Sequence, residues 1–362
     1  MLLLSGCEKE PAKVADNTQP DTSQIVISPD SVIVKGLYIL NEGLFNMNNS
    51  SISYYDFTTG EYIADYFSQQ NGRGLGDTGN DLQQYGSKLY CIVNVSSTIE
   101  VMTPDLKSIK RIAVVNDEGK ARQPRKVAFE GGKAYITCFD GYVIRLDTAS
   151  LEIDGICQVG LNPEGICIVG KRAYVCNSGG LNNPTYDNSV SVINLQSFTE
   201  EKKIEVVINP CVIVADNDRY VYVISRGNYG KIGYKLQRIN TTTNEVEYAY
   251  DEEMLNLAIV GDYGIGYTYN YSNQKWKIKT FDPQTKQFST SDFVGTTSGI
   301  QTPYALCIDT IGKRVFVADA LNFTTNGTLY GFDWDGNRVF SLEAGLNPNT
   351  VFLITERIKK EK

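Results

Sequence analysis

The chain has no histidine among its 362 residues, so any chemistry must come from carboxylates, tyrosines, arginines, amides and eight cysteines. This absence excludes Ser-His-Asp and Cys-His catalysis and histidine-bound zinc. Two carboxylates could still act as acid and base on a glycosidic bond. Solvated loop charge is the simpler interpretation of the carboxylates in predicted loops, which are Glu42, Asp77, Asp81, Glu164, Asp187 and Asp319. We therefore expect no catalytic residue, no metal site and no cofactor.

Most of the cysteines lie in apolar, strand-like runs such as LYCIVN and YITCF, and no CxxC pair is present. Small buried thiols are typical of such positions. A disulfide framework is typical of short chains with an even cysteine set. We expect free, buried thiols at Cys91, Cys138, Cys157, Cys167, Cys176, Cys211 and Cys307.

The first residues indicate a lipid anchor. The sequence Leu4-Ser5-Gly6-Cys7 resembles the lipobox of bacterial lipoproteins, in which the cysteine thiol is acylated. The following Glu8-Lys9-Glu10 resembles the surface-export signal of Bacteroidetes lipoproteins. We expect residues 1–7 to be a truncated lipoprotein signal with Cys7 as the lipidation site. We expect residues 8–30 to be a flexible polar tether. The lipid would then hold the folded part of the chain on the outer membrane, and no segment of the protein would cross the membrane.

Composition narrows the class of protein further. The formal net charge is −8, and 42% of the residues are hydrophobic. A negative surface is a poor partner for nucleic acid or anionic lipid. The chain is also rich in tyrosine and glycine, with 23 and 32 residues. This composition favours an all-β protein with many turns.

One unit recurs along the chain: a short apolar run, a tight polar turn and a strand led by an aromatic residue. Two clear copies are PRKVAFEGGKAYITC from Pro124 and PEGICIVGKRAYVCN from Pro163. A second half adds an alternating strand, a polar turn and a further strand, as in YVIRLDTASLEI. The leading aromatics are Tyr38, Tyr90, Tyr135, Tyr174, Tyr222, Tyr267 and Phe316. Their mean spacing of about 46 residues lies in the range of four-stranded propeller blades.

The copy around Tyr38 has no apolar strand directly before it, whereas PNTVFLI at 348–354 has no partner after it. We therefore predict an all-β, seven-bladed β-propeller over residues 31–362. Each blade has four antiparallel strands, and the C-terminal strand closes the first blade. The alternative, a two-sheet sandwich, does not explain seven near-equal copies.

The predicted blades place their long connections on one face. Turns between first and second strands are short, as in EGGK and VGKR. Connections between second and third strands, and between blades, share the other face. The long segments there are 41–51, 71–80, 116–125, 177–189, 226–235, 269–275 and 319–328. Their Asn, Gly, Tyr and Phe content predicts one face that binds a large, neutral ligand.

The repeat, with its proline-led first strand and Asp- or Asn-ended third strand, resembles the YncE-like, YVTN-type propellers over residues 36–354. Together with the lipobox, the chain is similar to the BtuG-type cobalamin-binding surface lipoproteins of Bacteroidetes. This resemblance implies a non-enzymatic protein that captures cobalamin (vitamin B12) and caps a TonB-dependent outer-membrane transporter.

The resemblance also implies that the corrinoid lies over the long-loop face. Near the axis we expect contacts from residues that open first strands, namely Asn80, Asp81, Arg125, Glu164, Tyr304 and Asn349. On the rim we expect contacts from Phe45, Arg73, Tyr186, Arg226, Tyr229, Tyr271 and Phe323.

Two other functions remain open at this point. Loop aromatics suit a surface propeller that binds a glycan or a protein equally well. A hydrolase or lyase on the same scaffold is disfavoured, because such propeller sites commonly use histidine.

Overall fold

The computed structural model describes residues 31–358, apart from 218, 271, 296 and 297. Its strands form seven four-stranded antiparallel sheets arranged in a ring, which confirms the predicted all-β, seven-bladed propeller. The predictions for Cys7, for the 8–30 tether and for Tyr271 lie outside the described residues.

The elements follow the chain in simple order, with one interruption in blade 1. Blade 1 contains β1 (Ser31–Asn41), β2 (Ser51–Asp56), β3 (Tyr62–Ile63) and β28 (Pro348–Ile358), and helix α1 (Tyr66–Asn71) follows β3. Blade 2 contains β4 (Gly79–Tyr85), β5 (Lys88–Val93), β6 (Thr98–Met102) and β7 (Ser108–Ala113); blade 3 contains β8 (Pro124–Glu130), β9 (Lys133–Cys138), β10 (Tyr142–Asp147) and β11 (Ile153–Gln158); blade 4 contains β12 (Pro163–Val169), β13 (Arg172–Asn177), β14 (Ser189–Asn194) and β15 (Thr199–Glu205).

The last three blades repeat this arrangement. Blade 5 contains β16 (Pro210–Ala215), β17 (Tyr220–Ser225), β18 (Lys235–Asn240) and β19 (Glu245–Ala249); blade 6 contains β20 (Asn256–Val260), β21 (Tyr263–Asn270), β22 (Lys275–Asp282) and β23 (Gln287–Phe288); blade 7 contains β24 (Pro303–Asp309), β25 (Arg314–Asp319), β26 (Asn326–Asp333) and β27 (Arg338–Leu346).

Both ends of the described chain meet in blade 1. Strand β28 pairs antiparallel with β1 over their full lengths, from Ser31 opposite Ile358 to Asn41 opposite Pro348. The predicted closure by the C-terminal strand is therefore confirmed. This long pairing ties the ring shut and removes what would be two open sheet edges.

The leading aromatics explain why the repeat was visible in the sequence. Each lies in the second strand of its blade and is at most 5% exposed. The second strand is covered on both faces, because neighbouring blades pack against it. The hydrophobic clusters accordingly span adjacent blades; one cluster unites Tyr90 of blade 2 with Ile136 and Ile144 of blade 3.

Helix α1 was not predicted from the sequence. The Asp65 carboxylate accepts a hydrogen bond from the Ser68 amide, and Gly72 ends the helix at a φ of 65°. Phe67 is fully buried against the core that blades 1 and 2 share. Its six residues are too few to show helical periodicity against the strand repeat. Within the described residues no helix is long and apolar enough to span a membrane.

The cysteine prediction is confirmed in part, because Cys167 and Cys307 are only partly buried. All seven cysteines in the described part of the chain are free thiols, and five of them are buried. Burial raises the pKa of each thiol, to about 12 at Cys307 and about 11 at Cys211. These cysteines pack as small apolar side chains.

Candidate functional site

Antiparallel order within each blade puts two kinds of connection on one face, which we call the long-loop face. These are the connections between second and third strands and those between blades. The first kind is long at 42–50, 178–188 and 226–234, but short at 94–97 and 139–141. The loop predicted over 269–275 is shorter than expected, because Tyr269 and Asn270 belong to β21 and Lys275 begins β22.

A shared backbone feature starts the first strand of most blades on this face. The residue just before the strand adopts the left-handed conformation at Thr78, Gln123, Asn162, Asn209 and Asn347, with φ between 44° and 63°. An irregularity in pairing follows at once, for example between Pro163 and Ile166 and between Pro124 and Val127. Such bulges re-aim side chains at the ends of strands. Here they precede the residues at the mouth of the central channel.

The first strands of all seven blades line a channel of about 1170 Å³ around the ring axis. Polar residues lie where these strands begin, at the long-loop face. Apolar residues such as Val127, Ile213 and Leu257 follow further along. The channel therefore has a polar mouth above an apolar interior.

Nine of the thirteen predicted ligand contacts line this channel. They are Asn80, Asp81, Arg125, Glu164, Tyr304, Asn349, Arg226, Tyr229 and Phe323. Phe45, Arg73 and Tyr186 do not line it, and Tyr271 is outside the described residues. The structure thus brings together the residues that open first strands and separates part of the predicted rim.

Glu42 organises one side of the mouth. Its carboxylate accepts hydrogen bonds from the Tyr304 hydroxyl at 2.9 Å and from the Asn349 amide at 2.8 Å. The same Asn349 amide donates to the Gly79 carbonyl at 2.7 Å, which links blade 1 to blade 2. Burial and the nearby Glu42 carboxylate raise the pKa of Tyr304 well above its ordinary value. Tyr304 is therefore a neutral donor at physiological pH.

An ion pair forms the opposite side of the mouth. The Arg125 guanidinium donates to the Glu164 carboxylate at 2.9 Å and lies 4.4 Å from the centroid of the Phe139 ring. The two charged side chains are only 20% and 13% exposed. Charge pairing and the ring hold the guanidinium in one orientation.

Asn80 and Asp81 are neighbours with different roles. The Asp81 carboxylate accepts from the backbone amides of Leu82 and Val127, so it joins blade 2 to blade 3. Asn80 is only 4% exposed, and its side-chain oxygen has no hydrogen-bond partner among the described residues. An unpaired buried acceptor is costly unless a ligand or water supplies a donor. Asn80 is the clearest open hydrogen-bonding position in the channel.

The channel carries balanced charge. Its lining has three carboxylates and three cationic side chains, namely Glu42, Asp81, Glu164, Arg125, Lys126 and Arg226. This balance contrasts with the net charge of −8 for the whole chain. A balanced lining suits a neutral ligand better than a polyanion or a polycation.

Exposed apolar side chains lie on the long-loop face in the connections of blades 1 to 5. Phe45 is 71% exposed on loop 42–50, and Tyr229 is 62% exposed on loop 226–234. The Tyr229 ring meets the Tyr186 ring edge to face at 6.2 Å, which connects the loops of blades 4 and 5. The exposed large apolar residues on this face are Phe45, Met47, Val115, Leu161, Leu181, Tyr229 and Ile232. Clusters of this kind mark interaction surfaces.

Arg73 lies in the connection between blades 1 and 2, and its partners lie on both sides of that connection. Its guanidinium donates to the fully buried Glu100 carboxylate at 2.8 Å and lies 5.1 Å from the Phe67 ring centroid. Sequence spacing did not indicate this pair, because Glu100 lies on the third strand of blade 2. The contacts of Arg73 thus tie helix α1 and the connection after it to blade 2.

A second cavity, of about 520 Å³, was not expected from the sequence. We call it the 6–7 groove because residues of blades 6 and 7 and their connection line it: Tyr269, Gln274, Trp276, Ile300, Gln301, Thr302, Leu321, Asn322 and Phe323. Phe323 lines both the groove and the channel. The sequence feature that could have indicated this groove is Trp276, one of only two tryptophans in the chain.

Within residues 31–358, as far as they are described, no cluster of three or more carboxylates and thiols has the geometry to hold a metal ion.

The chain is similar to one family of unknown function and, in its fold, to several solved structures. Residues 35–184 match a family described as a domain of unknown function, DUF5074. No curated protein matches. A quinoprotein alcohol dehydrogenase-like protein from Bacteroides thetaiotaomicron is 15% identical, with a TM-score of 0.63 over 89% of this chain and 79% of that one.

Two enzymes are also similar in structure. Hydrazine synthase from Kuenenia stuttgartiensis is 17% identical, with a TM-score of 0.56 over 69% of this chain and 74% of that one. The dihydro-heme d1 dehydrogenase NirN is 11% identical, with a TM-score of 0.57 over 93% and 79% of the two chains. Likeness at these identities concerns the propeller fold, which hosts enzymes and binding proteins alike.

Proposed function

We propose that this protein is a non-enzymatic surface receptor that captures a corrinoid, such as cobalamin, on its long-loop face. We further propose that it hands the corrinoid to a TonB-dependent outer-membrane transporter. The observation that carries the proposal is the charge-balanced, amide-bearing mouth of the channel, together with exposed apolar side chains on the same face in the loops of blades 1 to 5.

The chemistry of a corrinoid matches this mouth. A corrin ring is broad and apolar at its edges, and its periphery carries primary amides that both donate and accept hydrogen bonds. The free oxygen of Asn80 offers an acceptor for an amide N–H group. Exposed rings such as Phe45 and Tyr229 offer flat apolar area with little loss of side-chain entropy.

The mouth is also held in place before a ligand arrives. Glu42 fixes Tyr304 and Asn349, and Glu164 fixes Arg125. Side chains that are already ordered lose little entropy on binding, and this favours high affinity. The chain has no histidine, so no imidazole of this protein replaces the lower cobalt ligand. Recognition therefore rests on shape and hydrogen bonds.

Isothermal titration of the protein with cyanocobalamin tests the proposal. We expect saturable binding of one ligand per chain, and weaker binding of cobinamide, which lacks the nucleotide portion. The expected rank follows from the larger surface that cyanocobalamin buries. Absence of heat together with absence of a thermal shift at micromolar protein would reject corrinoid capture.

Anchoring through Cys7 is the second part of the proposal and rests on the lipobox-like sequence. Acylation at this thiol would place the propeller on the cell surface at the outer membrane, beside its transporter. Cys7→Ser should move the protein from the membrane fraction to the soluble fraction and abolish labelling by radioactive palmitate. Retention of the variant in the membrane fraction would contradict a lipid anchor at this position.

Hand-off requires a direct partner. A TonB-dependent transporter co-expressed with the receptor should co-purify with it, and cyanocobalamin uptake should fall when the receptor is removed. Uptake that is unchanged at limiting vitamin concentration would contradict the hand-off while leaving capture intact.

A further inference from the structure

The 6–7 groove differs from the channel in what lines it. Its described lining contains three aromatic residues, three side-chain amides, one threonine and two aliphatic residues, and no charged side chain. Its volume of about 520 Å³ lies in the range of small-molecule sites. The lack of a counter-charge in this lining favours a neutral ligand over an anion or a cation.

Trp276 is fixed at the wall of the groove. Its indole N–H donates to the Ile300 carbonyl at 3.0 Å, so the rotation of the ring is set by the connection between blades 6 and 7. Thr302 donates to the Leu321 carbonyl at 2.6 Å, which ties the same connection to the blade 7 loop. The aromatic wall is therefore built from both blades and is ordered without a ligand.

The amides of the groove have distinct roles. The side-chain oxygen of Asn322 accepts from the backbone amides of Thr324 and Thr325, each at 3.0 Å. This leaves the amide nitrogen of Asn322 as its donor group. Gln274 and Gln301 are exposed and add both donors and acceptors. These amide donors and acceptors match a ligand with hydroxyl groups on adjacent carbons, because each hydroxyl both donates and accepts a hydrogen bond.

Backbone strain accompanies this arrangement. Gln274, Leu321 and Phe323 have φ values of 54°, 51° and 66°. Left-handed backbone is unusual for long or bulky side chains. Strain of this kind concentrates where loops hold a binding geometry. In this groove it positions two lining residues of blade 7 and one of blade 6.

We propose that the 6–7 groove binds a neutral saccharide of one or two pyranose rings. A pyranose presents apolar C–H groups on its face, which pack on aromatic rings, and hydroxyls at its edge, which pair with amides. The groove supplies both kinds of partner and no charge. The inference concerns a site separate from the channel and does not rest on corrinoid capture.

Intrinsic fluorescence gives a direct test, because the chain has two tryptophans in different places. Trp276 lines the groove, whereas Trp334 lies in a turn on the opposite face and stacks on Tyr263 at 4.9 Å. In Trp334→Phe all indole emission comes from Trp276. This variant should be titrated with methyl glycosides of glucose, galactose, mannose and N-acetylglucosamine, and with maltose, cellobiose and chitobiose.

The proposal expects at least one probe to give a saturable shift of the Trp276 emission. Gln274→Ala combined with Gln301→Ala should weaken that binding at least tenfold. The matched variant Trp276→Phe, which keeps Trp334, should show no shift with the same probe. Absence of a saturable change with every probe up to about 50 mM, far above a millimolar dissociation constant, would overturn the proposal.

Titration of Trp276→Phe with cyanocobalamin separates the two sites. An affinity within twofold of the wild type supports a groove that is distinct from the channel. A tenfold or greater loss of cyanocobalamin affinity would overturn the separate saccharide site, because the groove would then belong to the corrinoid surface. A saccharide shift without any cyanocobalamin binding would support the groove and reject the proposed function.

Discussion

The central channel and the 6–7 groove open on the same face but are built from different parts of the blades. First strands line most of the channel and bring four of its six charged side chains, and the loop residues Glu42 and Arg226 complete the balance. Loops and the connection between two blades line most of the groove, and they bring none. One propeller face therefore offers two different chemistries, a charged channel mouth and an uncharged groove.

The largest expected effect comes from breaking the charge balance of the channel. Glu164→Gln would leave the Arg125 guanidinium without its partner in a mostly buried position. We expect the free energy of unfolding in urea to fall by about 2–3 kcal/mol. The double variant Arg125→Gln with Glu164→Gln should recover part of that loss.

A groove variant is the matched control for this prediction. Gln301→Ala removes an exposed, uncharged side chain, so its free energy of unfolding should stay within about 0.5 kcal/mol of the wild type. Equal stability of Glu164→Gln and the wild type would show that the ion pair does not hold the mouth.

The next effect concerns the open acceptor of the channel. Asn80→Ala should weaken cyanocobalamin about tenfold, equal to about 1.4 kcal/mol, if the Asn80 oxygen accepts from a ligand amide. Asn256 also lines the channel, but its oxygen already accepts from the Leu257 amide at 2.9 Å. Asn256→Ala should therefore change affinity less than twofold in the same titration. A larger loss of affinity in Asn256→Ala than in Asn80→Ala would contradict a ligand contact at the Asn80 oxygen.

Phe323 tests how separate the two regions are, since it lines both. Phe323→Ala should weaken cyanocobalamin and the active saccharide by about fivefold each, close to 1 kcal/mol for a lost aromatic contact. Tyr186→Ala is the control variant for saccharide binding, because Tyr186 contacts Tyr229 and lies outside the groove. Loss of one ligand alone in Phe323→Ala would assign the ring to a single site.

The smallest expected effect is a pH response of the channel. Burial and Glu42 raise the pKa of Tyr304 in the folded protein above the unfolded value of 10.0. The contribution of Tyr304 to stability is therefore complete below pH 10 and is lost as the pH rises above it. Between pH 9 and 11, Tyr304→Phe should therefore lose less stability than the wild type in urea unfolding.

Other buried tyrosines produce the same trend in both proteins, because burial also raises the pKa of Tyr174 and of Tyr263 to about 12. The difference between the wild type and Tyr304→Phe in how stability changes with pH therefore reports on Tyr304 alone. Saccharide binding in the groove should not change between pH 5 and 9, since none of its described lining residues carries a carboxylate, an ammonium or a guanidinium group.

The ring of blades was predictable from the sequence because the second strands repeat a physical requirement. Each leading aromatic fills the space between two blades, so residues such as Tyr90 and Tyr174 recur at a regular interval. The closure by β28 was predictable for the same reason, as one copy lacked a strand that the other end supplied.

The pairing within the site was not predictable. Tyr304 and Glu42 are 262 residues apart, and Asn349 and Glu42 are 307 apart, so only the closed ring brings them together. The prediction for Arg73 did not anticipate its partner, because Glu100 approaches it only after the third strand of blade 2 is in place. The 6–7 groove depends in turn on how two blades pack, which a repeat in the sequence does not specify.

Hydrogen exchange of the amides, measured with and without saturating cyanocobalamin, tests the central claim most directly. The account predicts slower exchange in loops 42–50 and 226–234 and at the starts of β4 and β24, with unchanged exchange in the short turns of the opposite face. Protection confined to those short turns, or no protection on either face, would contradict a corrinoid site at the mouth of the channel.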